Sequence, residues 1–267
     1  MSKELAKSAR KRFGQNFLID GRVIDAILAS INASASDAVV EIGPGHGAIT
    51  EGLYASQCDL TLIELDRDLV PGLLASFVSK SPERCRLLNE DVLKVDFTQL
   101  SSPLRIVGNL PYNISTPLLF KLLELGNQIQ DIHVMLQKEV VNRIAAAPGE
   151  SAYGRLGVMI QATARVEPLI DVPPESFAPP PKVDSGVIRI IPDANKRALI
   201  ESMDALTQVV RQAFSQRRKT FRNNLKDVVS LDEFEALSIN PQDRPERLSV
   251  ETYVELGNYL SRREGKA

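Results

Sequence analysis

The chain has 267 residues, of which 43% are hydrophobic and 25% charged, the composition of a globular protein with a sizeable core. A formal net charge of −2, two cysteines and two histidines argue against a polycation, a disulfide framework and a histidine-based metal centre.

Residues 1–22 carry Lys3, Lys7, Arg10, Lys11, Arg12 and Arg22 against Glu4 and Asp20. This segment has no apolar h-region and does not read as a secretory signal. No apolar run along the chain reaches the roughly 18 residues of a membrane span. A reducing, cytoplasmic setting without a membrane partner is expected.

Residues 24–31 read as the end of a helix, and the apolar run 38–42 as a buried strand running into glycines. A helix follows over 48–54, a second strand over 60–64 and a helix over 69–78. Short strands are predicted at 86–89, 104–108 and 132–136, with helices at 116–125 and 138–147. Strands alternating with helices predict an α/β fold with a doubly wound, mostly parallel sheet. Ligands of such sheets lie beyond the strand C-terminal ends, at the switch point. Residues 172–182 hold five prolines, which rules out an interior strand or helix there. Residues 187–191, rich in β-branched side chains, read as a last sheet strand.

From about residue 195 the pattern is helical, so two domains are expected, 1–194 and a small all-helical 195–267. Val210, Phe214, Phe221 and Leu225 share one helical face, with Arg211, Arg218 and Arg222 as a stripe beside it. Arg217 falls on the apolar side, which marks a break near that point. The stretch 205–226 holds Arg211, Arg217, Arg218, Lys219, Arg222 and Lys226 and no acid. Two basic segments on a near-neutral chain fit one positive surface, or two solvated helix faces.

The segment Glu41-Ile-Gly-Pro-Gly-His-Gly-Ala48 leaves a strand and opens a helix. Gly43, Gly45 and Gly47 allow a tight turn and close approach of a ligand. Glu64 ends the next strand, where a carboxylate can accept both hydroxyls of a ribose. The pattern suits a nucleoside and admits S-adenosylmethionine and a nicotinamide dinucleotide alike.

Asn109-Leu-Pro-Tyr112 follows the fourth strand. An adenine N6 amine is a poor nucleophile because its lone pair is delocalised into the ring. Two fixed acceptors, the Asn109 side-chain oxygen and the Leu110 carbonyl, can hold its N–H groups so that the lone pair faces a methyl donor. Pro111 stiffens the turn, and Tyr112 can stack on the base, which must be extruded from any helix or stack. Read alone, the same four residues also fit a plain proline turn at a strand end.

Taken with Arg12-Phe-Gly-Gln-Asn-Phe-Leu18, Glu64-Leu-Asp66, Met135-Leu-Gln-Lys-Glu-Val-Val-Asn-Arg143, Tyr153-Gly-Arg-Leu156, Phe177-Ala-Pro-Pro-Pro-Lys-Val-Asp-Ser185 and Gln216-Arg-Arg-Lys-Thr220, these segments resemble the ribosomal RNA adenine dimethyltransferase family, in its small-subunit branch. The likeness runs from about residue 10 to about residue 260. It implies a Rossmann-like class I methyltransferase with S-adenosyl-L-methionine as cofactor. It implies that Asn16 and Leu18 close over the methionine end, Gly43 passes its backbone beside it, Glu64 holds the ribose and Asp91 accepts the cofactor adenine's amino group. Without the resemblance Asp91 reads as an exposed loop acid.

The resemblance further implies that Asn109 touches cofactor and target amine, and that Tyr112 and Phe177 sandwich the flipped adenine. The substrate it implies is a pair of adjacent adenosines in the 3′-terminal hairpin loop of small-subunit rRNA, each methylated twice, on an immature 30S particle. Arg211, Arg217, Arg218, Lys219 and Arg222 would then meet phosphates. A monomer is expected, since no long apolar seam is left over. Competing readings are a large-subunit adenine methyltransferase of the macrolide-resistance type, a DNA adenine methyltransferase, an NAD-dependent oxidoreductase, and a small-subunit assembly factor whose binding role dominates.

Overall fold

A computed structural model describes residues 15–111, 114–216 and 218–264. The basic positions Lys3 to Arg12 lie outside them.

The two-residue β1 (Phe17–Leu18) leads into α1 (Gly21–Ile31). Asp20 caps this helix, accepting the Arg22 N–H at 3.0 Å, and Asn32 ends it in the left-handed conformation. There follow β2 (Ala38–Ile42), α2 (Thr50–Ala55), β3 (Asp59–Ile63), α3 (Val70–Ser76), β4 (Cys85–Leu88), β5 (Leu104–Asn109), α4 (Ser115–Glu124) and β6 (Ile129–Gln137). Next come α5 (Lys138–Ala145), α6 (Arg155–Gln161), β7 (Ala164–Val172), β8 (Phe177–Ala178) and β9 (Ser185–Pro192). The remainder is helical: α7 (Ala194–Ala198), α8 (Met203–Ala213), α9 (Phe221–Leu225), α10 (Leu231–Ala236) and α11 (Val250–Glu264).

The main sheet has the order β4-β3-β2-β5-β6-β9-β7. Strands β4 to β6 in that order pair in parallel, and β9 runs antiparallel to β6. The doubly wound, mostly parallel sheet expected from the sequence is therefore present. The central strands are continuous apolar runs because helices cover both faces of a parallel sheet. Val39, Val40, Leu60, Leu62, Ile106 and Val107 are all nearly solvent-free.

Besides the two-residue β1 and β8, which the sequence reading did not foresee, two larger elements differ from expectation. Strand β7 has no counterpart in the sequence reading, because its burial does not alternate and Pro168 interrupts it. It ends the sheet, the position in which a strand tolerates a proline. Helix α6 was also not expected; its buried Gly157-Val-Met-Ile160 run is short and uniformly apolar, which does not separate helix from strand.

The described residues form two compact units, one running up to Val141 with Glu167–Pro192, the other Asn142–Val166 with the residues from Asp193 on. Residues 142–166 thus belong with the C-terminal helices, whereas a single cut after 194 was expected. The reason is aromatic packing inside that unit. Tyr153 meets Phe214 edge-on at 6.3 Å between centroids, Phe214 stacks on Tyr253 at 5.7 Å, and Phe221 meets Tyr253 at 5.7 Å.

At the N-terminal edge of the sheet, Arg105 of β5 is held by charge and hydrogen bonds. Its Nε and Nη2 donate to Asp131 at 3.0 and 2.9 Å, and Nη2 also donates to the Ile31 carbonyl at 2.6 Å. Arg189 of β9 donates to the same Asp131 at 3.1 Å. This network joins the end of α1 to β5, β6 and β9. His133, beside Asp131, is 2% exposed. Burial, outweighing the attraction of Asp131, holds its pKa down at about 4.

The unfolded chain binds that proton near pH 6.5 and the folded chain only near 4. Stability is therefore present above pH 6.5 and is lost as pH falls toward 4. The loss attributable to His133 is about 3 kcal/mol. Urea unfolding at pH 7 and pH 4 checks this: wild type is expected to lose that much more than His133→Leu. Parallel losses in the two proteins would exclude it.

Candidate active site

The chain leaves β2 toward β3 and β4 on one side, then returns to β5 and β6 on the other. The connections diverge beyond the β2–β5 pair, which opens a crevice at the strand C-terminal ends. Ile42 pairs with Ile63 and with Gly108. The next residues on these three strands, Gly43, Glu64 and Asn109, therefore emerge side by side. Gly108 is required here, since a Cβ would come within 2.7 Å of the Ile42 carbonyl.

Gly43 and Gly45 have φ of +67° and +62°, which an L side chain rarely adopts. The Gly43 N–H donates to the Ile63 carbonyl at 2.9 Å, which closes the loop over β3. A Cβ on Gly45 would lie 3.1 Å from the Phe17 ring, so the glycine admits β1 across the loop. Glu64 is buried, and its two oxygens accept from the Asp66 N–H at 2.8 Å and the Gly45 N–H at 3.2 Å. Burial raises its pKa against these two bonds. Each oxygen keeps a second lone pair for an incoming hydroxyl.

Asn109 ends β5 half-buried, and its Nδ2 donates to the Asn16 carbonyl at 3.1 Å. That bond fixes which end of the amide is nitrogen, leaving Oδ1 to act as an acceptor. Leu110 is buried, and its N–H donates to Met135 at 3.1 Å, prolonging the β5–β6 ladder by one residue. Pro111 follows at the cleft wall. Tyr112 lies outside the described residues. Asn16 belongs to the segment that leads into β1, and β1 pairs antiparallel with β8, setting Leu18 opposite Phe177.

Asn16, Leu18, Gly43, Gly45, Glu64, Asp91, Asn109, Leu110, Pro111 and Phe177 all line one cleft of about 490 Å³. Ten positions drawn from six separate stretches of chain are thus brought together. Asp91 sits in the loop after β4, where its Oδ1 accepts the Leu93 N–H at 3.0 Å. Phe177 is buried at the cleft wall and also packs in the main hydrophobic core.

Two polar residues at the cleft, Glu41 and Gln15, carry no role in the sequence reading. Glu41 is buried with its pKa raised to about 7, mainly by burial, and its Oε2 has no hydrogen-bond partner among the described residues. Gln15 donates to the buried Asp66 at 2.9 Å, fastening the segment before β1 to the loop after β3. Gln15 and Asp66 both lie within segments that carry the family resemblance, but only the fold shows that 51 positions apart they meet. Among the described residues no group of three His, Cys, Asp or Glu could hold a metal ion.

In the C-terminal unit, α8 ends at Ala213 and α9 begins at Phe221. Buried Asn224 enforces the break: its Nδ2 donates to the Ala213 and Gln216 carbonyls at 2.7 and 3.2 Å. Val210, Phe221 and Leu225 are buried as expected, but on two helices. The basic stripe is accordingly not one helical face. Arg211 lies at the end of α8, Arg218 and Lys219 in the connection, and Arg222 on α9, all exposed. Arg217 lies outside the described residues.

The family model for ribosomal RNA adenine dimethylase matches residues 6–262. A ribosomal RNA small subunit methyltransferase A from Saccharophagus degradans is 53% identical over 255 residues, which cover 94% of each chain. One of the same name from Shewanella sp. strain MR-7 is 51% identical over 259 residues, 96% of each. Among solved structures, a dimethyladenosine transferase from Plasmodium falciparum aligns over 93% of this chain and 98% of its own, at 24% identity and a TM-score of 0.82. The 23S rRNA methyltransferase ErmE aligns over 92% and 100%, at 24% identity and a TM-score of 0.74. The two structures share the class I methyltransferase fold with this chain.

Proposed function

The chain belongs to the ribosomal RNA adenine dimethylase family, and on that premise we propose that it dimethylates N6 of two adjacent adenosines in the 3′-terminal hairpin loop of small-subunit rRNA. The work is done on an immature 30S particle in the cytoplasm, by a monomer, with four methyl transfers per RNA. The sheet unit carries catalysis, and the C-terminal helices bind RNA. The observation that carries this reading is the Asn109 amide, tied by its nitrogen to Asn16 beside the glycine loop and in one cleft with Glu64, Asp91 and Phe177.

The cleft suits S-adenosylmethionine. It joins a glycine turn to a carboxylate with free lone pairs, the combination a nucleoside ribose needs. When bound, the cofactor supplies an electrophilic methyl on a sulfonium. Glu64 holds its ribose hydroxyls, Asp91 its adenine amino group, and Asn16, Leu18 and the Gly43 backbone its methionine end.

Asn109 Oδ1 and the Leu110 carbonyl take the two N–H groups of the target amine and turn its lone pair toward the methyl. Phe177 and Tyr112 hold the ring. Positioning and exclusion of water supply most of the rate. No strong base is needed, because the amine proton becomes acidic only once the new N–C bond has formed, and it then leaves to water. After the first transfer one N–H remains, and one acceptor still orients it.

Relatives about half identical over nearly full length carry the small-subunit name, which favours that substrate over the large-subunit alternative. Labelled S-adenosylmethionine incubated with unmethylated small subunits is expected to mark the two hairpin adenosines. Label in large-subunit RNA or in DNA would overturn the reading.

The exposed cations make a separate prediction. Each phosphate contact removed lowers the slope of log K against log salt by about 0.7–0.9. The double variant Arg218→Ala, Lys219→Ala is expected to bind RNA more weakly and to reduce that slope by roughly 1.4–1.8, with turnover at saturating RNA unchanged. Titrations across salt concentrations check this, and an unaltered slope would remove both residues from the interface.

A further inference from the structure

We propose that Lys121 is a positioning residue for the cofactor, whose ammonium pins the loop that presents Asp91 to the cleft. The inference rests on reading the cleft as the S-adenosylmethionine site.

Residues 89–95 connect β4 to the turn at Asp96 without helix or sheet bonds of their own. Asn89 fastens the near end, donating from Nδ2 to the Glu64 carbonyl at 2.7 Å. Asp91 closes a local turn, its side chain accepting from Leu93 at 3.0 Å and its carbonyl from Lys94 at 2.8 Å. The far end is held by Lys121 of α4. Its Nζ donates to the Leu93 and Val95 carbonyls at 2.7 Å each and lies 3.5 Å from that of Val92. The same ammonium lies 5.5 Å from the centre of the Phe97 ring.

Val92, Val95 and Phe97 are buried, so the carbonyls between them sit where water is scarce. Backbone acceptors in such a place need a donor. Three converging carbonyls match the three protons of an ammonium, which the planar fork of arginine does not. Lys121 is half-buried and engaged with these carbonyls, so it is not a phosphate-binding surface lysine. Its helix also starts soon after Pro111. One element therefore connects the wall for the target amine with the wall for the cofactor's adenine.

The consequence is selective. Without the ammonium the loop loosens, and Asp91 loses its hold on the cofactor's amino group. The test compares S-adenosylhomocysteine with S-inosylhomocysteine, in which an oxo group replaces that amine, by calorimetry on wild type and Lys121→Met. The variant is expected to bind S-adenosylhomocysteine about tenfold more weakly, with a matching rise in KM for S-adenosylmethionine. Its kcat and its KM for RNA stay within about twofold of wild type, and its preference for amino over oxo shrinks.

Lys121→Gln, which keeps two donor protons, is expected to fall between the two, and it carries the same test should Lys121→Met not fold. An unchanged amino preference overturns the inference, whether affinity is retained or all parameters fall together. Failure of wild type to bind S-adenosylhomocysteine would instead defeat the cofactor reading, and the inference with it.

Discussion

Asn109→Ala is expected to lower methyl transfer by about 10²–10³-fold while leaving binding to immature small subunits intact. The magnitude follows from removing one preorganised hydrogen-bonding group aimed at the reacting centre. Alanine takes away Oδ1, the proposed acceptor for the target amine, and also the Nδ2 bond to the Asn16 carbonyl. Part of the loss will therefore appear in cofactor affinity, which calorimetry with S-adenosylhomocysteine separates from the chemical step. Single-turnover methylation on saturating cofactor isolates the remainder. Near-normal transfer would remove Asn109 from the mechanism. The variant also separates catalysis from assembly: a protein that binds particles but transfers no methyl shows that the two roles coexist and are separable.

The second large effect is expected at Glu64. Its carboxylate organises the site before any ligand arrives, by taking the Gly45 and Asp66 N–H groups. Hydrogen bonds to a charged group are worth about 1.5–3 kcal/mol each. Glu64→Ala forfeits two within the protein and the proposed pair to the ribose. Cofactor affinity is expected to fall at least about 100-fold, while RNA affinity changes little. Glu64→Gln keeps one acceptor oxygen but places a donor against a backbone N–H, and is expected to lose nearly as much. Affinity for S-adenosylhomocysteine within a few-fold of wild type in both variants would contradict the ribose assignment.

Much of this architecture is legible in the sequence because its key residues follow directly on apolar strands. Gly43, Glu64 and Asn109 each sit one step past or at the end of a run whose strand character is plain, and a parallel sheet then forces them together. Strand β9 is legible as a strand, but its antiparallel sense is not, because no local signal sets direction. Strand β7 hides behind Pro168 and a half-exposed surface.

The helical break between α8 and α9 is hinted at by Arg217, yet its cause, Asn224 reaching back to Ala213, appears only in three dimensions. The same holds for Gln15 with Asp66, and for Lys121 with the carbonyls near Asp91. In each case a common polar residue gains its meaning from a partner distant in sequence. Lys121 in particular reads as an ordinary helix-surface lysine until its partners are known.

The central claim concerns one amine and two oxygens. A structure of the protein with S-adenosylhomocysteine and a hairpin RNA carrying the target adenosines tests it most directly. The expected result is an extruded adenine against Phe177, with its N6 within hydrogen-bonding distance of both Asn109 Oδ1 and the Leu110 carbonyl. An adenine seated elsewhere, or one whose amine faces away from those two oxygens, would contradict the account.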